Sequence, residues 1–128
     1  MNFPAELKYT KDHEWARIEG KVATIGITDH AQSSLGDVVF VELPKVGREL
    51  KAGETFGVVE SIKAVSDLFS PVAGKVIEAN QALTDEPSKA NTEPYGSAWM
   101  IKIEVADASV FSSLMDSKAY ASLVASLK

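Results

Sequence analysis

Apolar and polar residues alternate in short bursts through most of the chain and change to helical spacing near its C-terminus. The stretch 7–18 ends in an alternating strand, Glu19 and Gly20 supply a hairpin turn, and 21–27 form the return strand. Thr28 or Asp29 then caps a short helix that runs through Leu35 and stops at Gly36, with Ala31 and Leu35 facing the core one turn apart. Residues 38–43 are almost continuously apolar up to Pro44, which predicts burial on both faces or a central place in a sheet. A turn-rich stretch, 46–54, leads into a hairpin: one apolar strand climbs to Lys63, and a second alternates down to Pro71 and continues past Gly74 through 79. Residues 80–97 show no period, carry Pro87, Pro94 and Gly96, and read as a long irregular connection draped over the surface. Alternation returns over 98–105. Asp107 then caps a helix with Val110, Phe111, Leu114 and Met115 on one face, and Asp116 caps another with Tyr120, Leu123, Val124 and Leu127. Strands first and helices last predict a mainly β fold: an antiparallel sandwich or flattened barrel with a short internal helix and C-terminal helices over about 107–127. With no linker to split it, the chain is expected to be one domain, 1–128.

Composition narrows the functions more than the fold. A net charge of −5 with no cluster of Lys or Arg argues against nucleic acid as a partner. No apolar run is long enough to span a membrane, and the N-terminus has neither a secretion nor a transit pattern, so a cytoplasmic protein is expected. The absence of cysteine rules out disulfides, thiolate metal sites and a cysteine nucleophile, so any thiol–disulfide chemistry needs sulfur from a cofactor. His13 and Glu14 do not open a zinc-protease motif, because Arg17 stands where the second histidine belongs, and no other metal site is expected. Phosphate-loop and serine-elbow patterns are missing as well. The expectation is a chain that is not an enzyme on its own, and a monomer, since the sequence displays no exposed apolar patch.

One residue stands out by its position. Lys63 lies at the apex of the hairpin in Val59-Glu60-Ser61-Ile62-Lys63-Ala64, with no Gly, Pro or Asn at the reversal. Gly53 stands ten residues before it and Gly74 eleven after. An apical lysine extends its amine into solvent, where another protein can reach it. The stretch, about 54–79, resembles the modification hairpin of lipoyl domains, with Glu three residues before the lysine and Ala after it. Biotinyl domains read Met-Lys-Met at this point, and Ile62-Lys63-Ala64 does not. The resemblance then spreads over nearly the whole chain. The stretch from Tyr9 through His13 and Glu14 to Trp15, the stretch 23–32, the stretch 35–44, the lysine tip and the stretch 94–102 are together similar to the H proteins of the glycine cleavage system.

This resemblance implies a lipoyl-domain-like barrel-sandwich hybrid that carries lipoic acid as an amide on Lys63. It implies a carrier that takes the aminomethyl group of glycine from the decarboxylase (P-protein) to the aminomethyltransferase (T-protein), and its dithiol to dihydrolipoyl dehydrogenase (L-protein). A lipoylating enzyme is a further implied partner. Glu60 reads either as the signal for that enzyme or as a strand-end charge, and within such a tip the first is taken. Glu14 and Asp67 are the candidates for sheltering the loaded arm by pairing with its amine, against a reading as solvated carboxylates. Ser34 stands where some family members have a histidine; if that histidine helps to hold the arm, this chain must hold it differently. The rival readings are a lipoyl-relay protein of lipoate assembly and a lipoyl module of a 2-oxoacid dehydrogenase complex. A plain interaction domain with an unmodified Lys63 is the third.

Overall fold

A computed structural model describes residues 2–127. Two antiparallel sheets form the body. The larger has six strands in the order β1-β2-β3-β9-β8-β5, and the smaller has three in the order β4-β6-β7. The strands are β1 (Lys8–Tyr9), β2 (Glu14–Glu19), β3 (Val22–Ile27), β4 (Val38–Glu42), β5 (Glu49–Leu50), β6 (Thr55–Ser61), β7 (Val65–Phe69), β8 (Gly74–Ala79) and β9 (Ile101–Glu104). Four short helices join them: α1 (Asp29–Leu35), α2 (Gln81–Asp85), α3 (Lys89–Thr92) and α4 (Ser117–Ser126). The mainly β, antiparallel expectation holds, but the sheets do not close into a barrel. None of the described helices is long and apolar enough to cross a membrane.

The main core lies between the sheets. Ile25, Val41, Phe56, Val59, Leu68, Val76, Ile101 and Ile103 are buried there, and a bulge between Thr55 and Gly57 lets Phe56 and Val59, three residues apart on β6, both take part. A second, aromatic cluster of Leu7, Tyr9, Trp15, Tyr120 and Val124 fastens α4 to the start of the chain. In it Tyr9 and Tyr120 stack with their rings 4.7 Å apart and nearly parallel.

Several expectations need correction. The apolar run 38–43 is not central. β4 is an edge strand, a bulge breaks its register with β6 between Val38 and Phe40, and Val39 and Phe40 turn outward while Val41 stays buried. Residues 80–97 are not a structureless drape. They hold α2 and α3, each anchored by a fully buried residue, Leu83 and Ala90. Helices of five and four residues are too short to print a 3.6-residue period on the sequence. Two asparagines fix them instead. Asn80 Nδ2 donates to the carbonyls of Ser97 and Trp99, while Asn91 accepts from Val38 N and donates to the carbonyl of Gly36.

Asp107 caps a 3-10 turn, Ala108–Ser113, rather than an α-helix, so the proposed stripe breaks up: Phe111 is buried, Val110 is exposed, and Met115 instead bridges to Tyr9. Asp116 does cap α4, accepting from Ala119 N, and Tyr120 and Val124 are buried as expected. Leu127 lies beyond the last turn and is exposed.

Candidate functional site

The reversal at Lys63 is built by a serine. Ser61 N donates to the Ala64 carbonyl at 2.8 Å, and Ser61 Oγ accepts from Ala64 N at 3.1 Å and from Lys63 N at 3.3 Å. The hydroxyl takes the place that Gly or Asn fills in other tight turns by satisfying the backbone donors of the bend. Ile62 N donates to the Asp37 carbonyl at 3.1 Å, which ties the tip to the link between α1 and β4. Lys63 itself is exposed, and neither ion pair among the described residues includes it.

Its stem lies over Gly36, the residue that ends α1 with φ at 79°. A Cβ added at Gly36 would sit 3.5 Å from Lys63 Cε. That spacing is an ordinary van der Waals contact, so it is the positive φ that favours glycine here.

Alongside α1 lies a cleft of about 270 Å³, walled by His13, Glu14, His30, Ser34, Ser66 and Asp67 among others. Glu14 and Asp67, chosen from the sequence, therefore border one space, together with Ser34. Their settings differ. Glu14 is 2% exposed; Oε1 accepts from Thr10 Oγ1 at 2.7 Å and Oε2 from Phe69 N at 3.2 Å, which pins β2 to β7. Burial pushes its carboxyl up to about 8 against the pull of those two donors. Asp67 is exposed and pairs with Val58 in the β6–β7 ladder, so alternation sets its Cβ on the opposite face from Ser66 and Leu68. Of the two carboxylates, Glu14 is the enclosed one.

The wall opposite is propped from the far end of the chain. His13 adopts φ of 69°, a conformation unusual for a residue with a side chain, and its Nδ1 lies 2.8 Å from Tyr120 Oη. Tyr120 Oη is also 2.7 Å from Thr28 Oγ1, whose oxygen caps α1 by accepting from Ala31 N. Helix α4 thus fixes both His13 and the start of α1. Burial, and secondly the neighbouring His30 ring 4.6 Å away, hold His13 below the usual histidine value. The sequence named His13 only in a rejected zinc motif and a family-like stretch and Tyr120 only as one residue of a helix face, and it gave Ser61 no role. The only trace of Ser61's role was the lack of any other turn former at the apex. Tyr120 stands 107 residues from His13, and no local pattern links them.

A family model described as the glycine cleavage H-protein matches residues 7–127. The chain belongs to the glycine cleavage H-protein family. It is 54% identical over 124 residues to the glycine cleavage system H protein of Bacteroides thetaiotaomicron, covering 97% of this chain and 98% of that one. It is also 54% identical over 123 residues to that of Myxococcus xanthus, covering 96% and 95%. The crystal structure of a glycine cleavage system H protein from Mycobacterium marinum superposes with a TM-score of 0.86 at 40% identity, over 94% of this chain and 97% of that one. The segments that resemble H proteins in sequence converge in space. The first supplies His13 and Glu14, the second Thr28 and His30, the third Gly36 and β4, and the fourth the lysine tip. The fifth holds the first in place, with the Pro94 carbonyl accepting from Trp15 Nε1 at 2.8 Å.

Proposed function

We propose that this H-protein-family chain carries a lipoyl group in amide linkage on Lys63. On that arm it moves the aminomethyl group of glycine from the P-protein to the T-protein and presents the resulting dithiol to the L-protein. It does so in the cytoplasm and catalyses none of these steps itself. The observation that carries the reading is the placement of Lys63. Its amine is exposed on a tip closed by Ser61, and its stem lies over the end of the same helix that walls the cleft.

The residues present fit such a group. Acylation removes the charge of Lys63, and no ion pair among the described residues is broken by that loss. When bound, the lipoyl group supplies the dithiolane that opens to a dithiol and carries the aminomethyl unit. The six steps from His30 to Gly36 advance about 9 Å along α1, so tip and cleft are neighbours. Glu14 is the residue assigned to the amine of the loaded arm. Once ionised, each of its oxygens holds one donor and keeps a second acceptor site, and a cation brought beside it favours that ionised form. Asp67 adds negative charge at the rim. Glu60, on the strand that leads to Lys63, is the recognition signal for the lipoylating enzyme. Tethering replaces free diffusion of the reactive group by a high local concentration at each docked partner.

Intact mass of the protein from lipoate-fed cells, beside Lys63→Ala, tests the reading. A gain of one lipoyl group in the parent and none in the variant is expected. No gain, even after treatment with a lipoylating enzyme, overturns it. A glycine–bicarbonate exchange assay with the P-protein then separates glycine cleavage from a relay role in lipoate assembly, which needs no exchange.

A further inference from the structure

Large apolar side chains exposed among the described residues are not spread evenly. Val39, Phe40, Ile62 and Val65, at 55%, 44%, 72% and 67% exposure, gather at the end of the three-stranded sheet that carries Lys63. The strand register shows why they form one surface. Phe40 on β4 pairs with Glu60 on β6, and Glu60 pairs with Val65 on β7, so the three side chains stand in a row on one face. The neighbouring row, Val41, Val59 and Ser66, points to the other face, where Val41 and Val59 are fully buried. Two positions along, the outer face continues as Glu42, Val58 and Asp67, with both carboxylates exposed. The outer face therefore has an apolar shelf at the lysine end, with Glu60 between Phe40 and Val65, and an acidic border behind it. A monomer was expected because no such patch was legible in the sequence, and the structure removes that ground.

We propose that the Phe40–Glu60–Val65 row, with Val39 and Ile62 beside it, is the docking surface for the enzyme that acylates Lys63. That enzyme meets it with an apolar shelf edged by basic side chains. The inference rests on the lipoyl-carrier reading and names the partner of the same lysine.

Reach selects this occupant over the others. An unmodified lysine extends its amine through five bonds of about 1.5 Å, or roughly 6 Å from its Cα. An active site that closes on Nζ must therefore cover the side chains next to it. Partners that work at the far end of a loaded arm have no such need. In the step itself, neutral Nζ attacks the carbonyl of a lipoyl adenylate made from lipoate and ATP. The amide bond forms, the acyl–phosphate bond breaks, AMP leaves and the amine gives up a proton. Apolar side chains on either side of a carboxylate, with a further acidic row behind, favour a partner that brings apolar and basic side chains together.

The test is steady-state acylation of the unmodified full chain by a lipoate ligase with lipoate and ATP. Phe40→Ser and Val65→Ser are expected to lower kcat/KM by about tenfold or more, chiefly through KM, while Phe40→Leu and Val65→Ile stay within about twofold of the parent. Exposed positions leave the core untouched, and unchanged Tm values check this. Serine variants acylated to completion by prolonged incubation are expected to load aminomethyl groups from glycine decarboxylase at the parent rate. Acylation of the serine variants at the parent kcat/KM refutes the docking surface alone, as does a loss of loading equal to the loss of acylation. A parent chain that never takes the lipoyl group sinks the carrier reading as well, and so marks that failure separately.

Discussion

Replacing Glu14 by Gln removes a buried ionisable group while keeping its shape and an acceptor for Phe69 N. The folded carboxyl titrates at about 8, against 4.5 for the ordinary group. The folded state therefore holds a proton through the window in which the unfolded chain has released it. Stability from this group is complete below about 4.5 and is lost as pH rises toward 8. Each unit of pH in that window costs a little over 1 kcal/mol, so about 3 kcal/mol goes between pH 4.5 and 7. His13 acts in the opposite sense. Its folded value is lowered, so its contribution is lost as pH falls through the usual histidine range. The useful quantity is therefore the difference between the parent and Glu14→Gln, measured by urea unfolding at half-unit steps from pH 5 to 8. Relative to the parent, the variant should gain stability steadily across that range. A difference that stays constant to within about 0.5 kcal/mol would show that Glu14 is already ionised when folded, and would remove the argument that a cationic arm shifts its proton.

Three further outcomes follow from other contacts. Ser61→Ala leaves Lys63 N and Ala64 N without their acceptor and should cost about 1–2 kcal/mol, with faster amide exchange confined to the tip. Tyr120→Phe keeps the stack on Tyr9 but removes the hydroxyl shared by His13 and Thr28; it should cost about 1–2 kcal/mol and move the His13 titration seen by NMR, whereas an unmoved titration would disprove the link from α4 to the cleft. Leu83→Ala empties a fully buried site on α2 and should lower stability by about 2–5 kcal/mol in thermal or urea unfolding, a loss that a draped loop would not show.

β2 and β3 were read correctly because the Glu19-Gly20 turn marks their hairpin, although Trp15 on β2 joins the aromatic cluster while Ala16 and Ile25 join the main core. The failure at β4 has a definite cause. Apolar density implies burial only when nothing else calls for exposed apolar groups, and Val39 and Phe40 lie beside the lysine tip at a bulged edge. The α3 and 3-10 segments failed for different reasons: a helix of four residues cannot display a period, whereas the stripe read after Asp107 falls on a 3-10 turn, whose spacing differs from 3.6. At the site, Lys63 could be read because the strands on either side point to it. Glu14 could be named only through family resemblance, since a carboxylate beside an aromatic residue gives no sign of being enclosed.

By itself the sequence determined the local features: roughly where the longer strands lie (though not that the strand after Lys63 splits at Pro71 into β7 and β8 of different sheets), that Thr28 or Asp29 and Asp116 start helices and Gly36 stops one, and that a lysine sits at an apex. These follow from short-range sterics and hydrogen bonding, which act within a few residues. Only the tertiary structure decided that Glu14 is walled in and holds its proton to about pH 8, and that Tyr120 props His13. It also decided that Lys63 rests on Gly36 and that Phe40 and Val65 share a face. Desolvation, register across strands and contacts between distant segments depend on which surfaces meet, and that is settled only when the sheets pack.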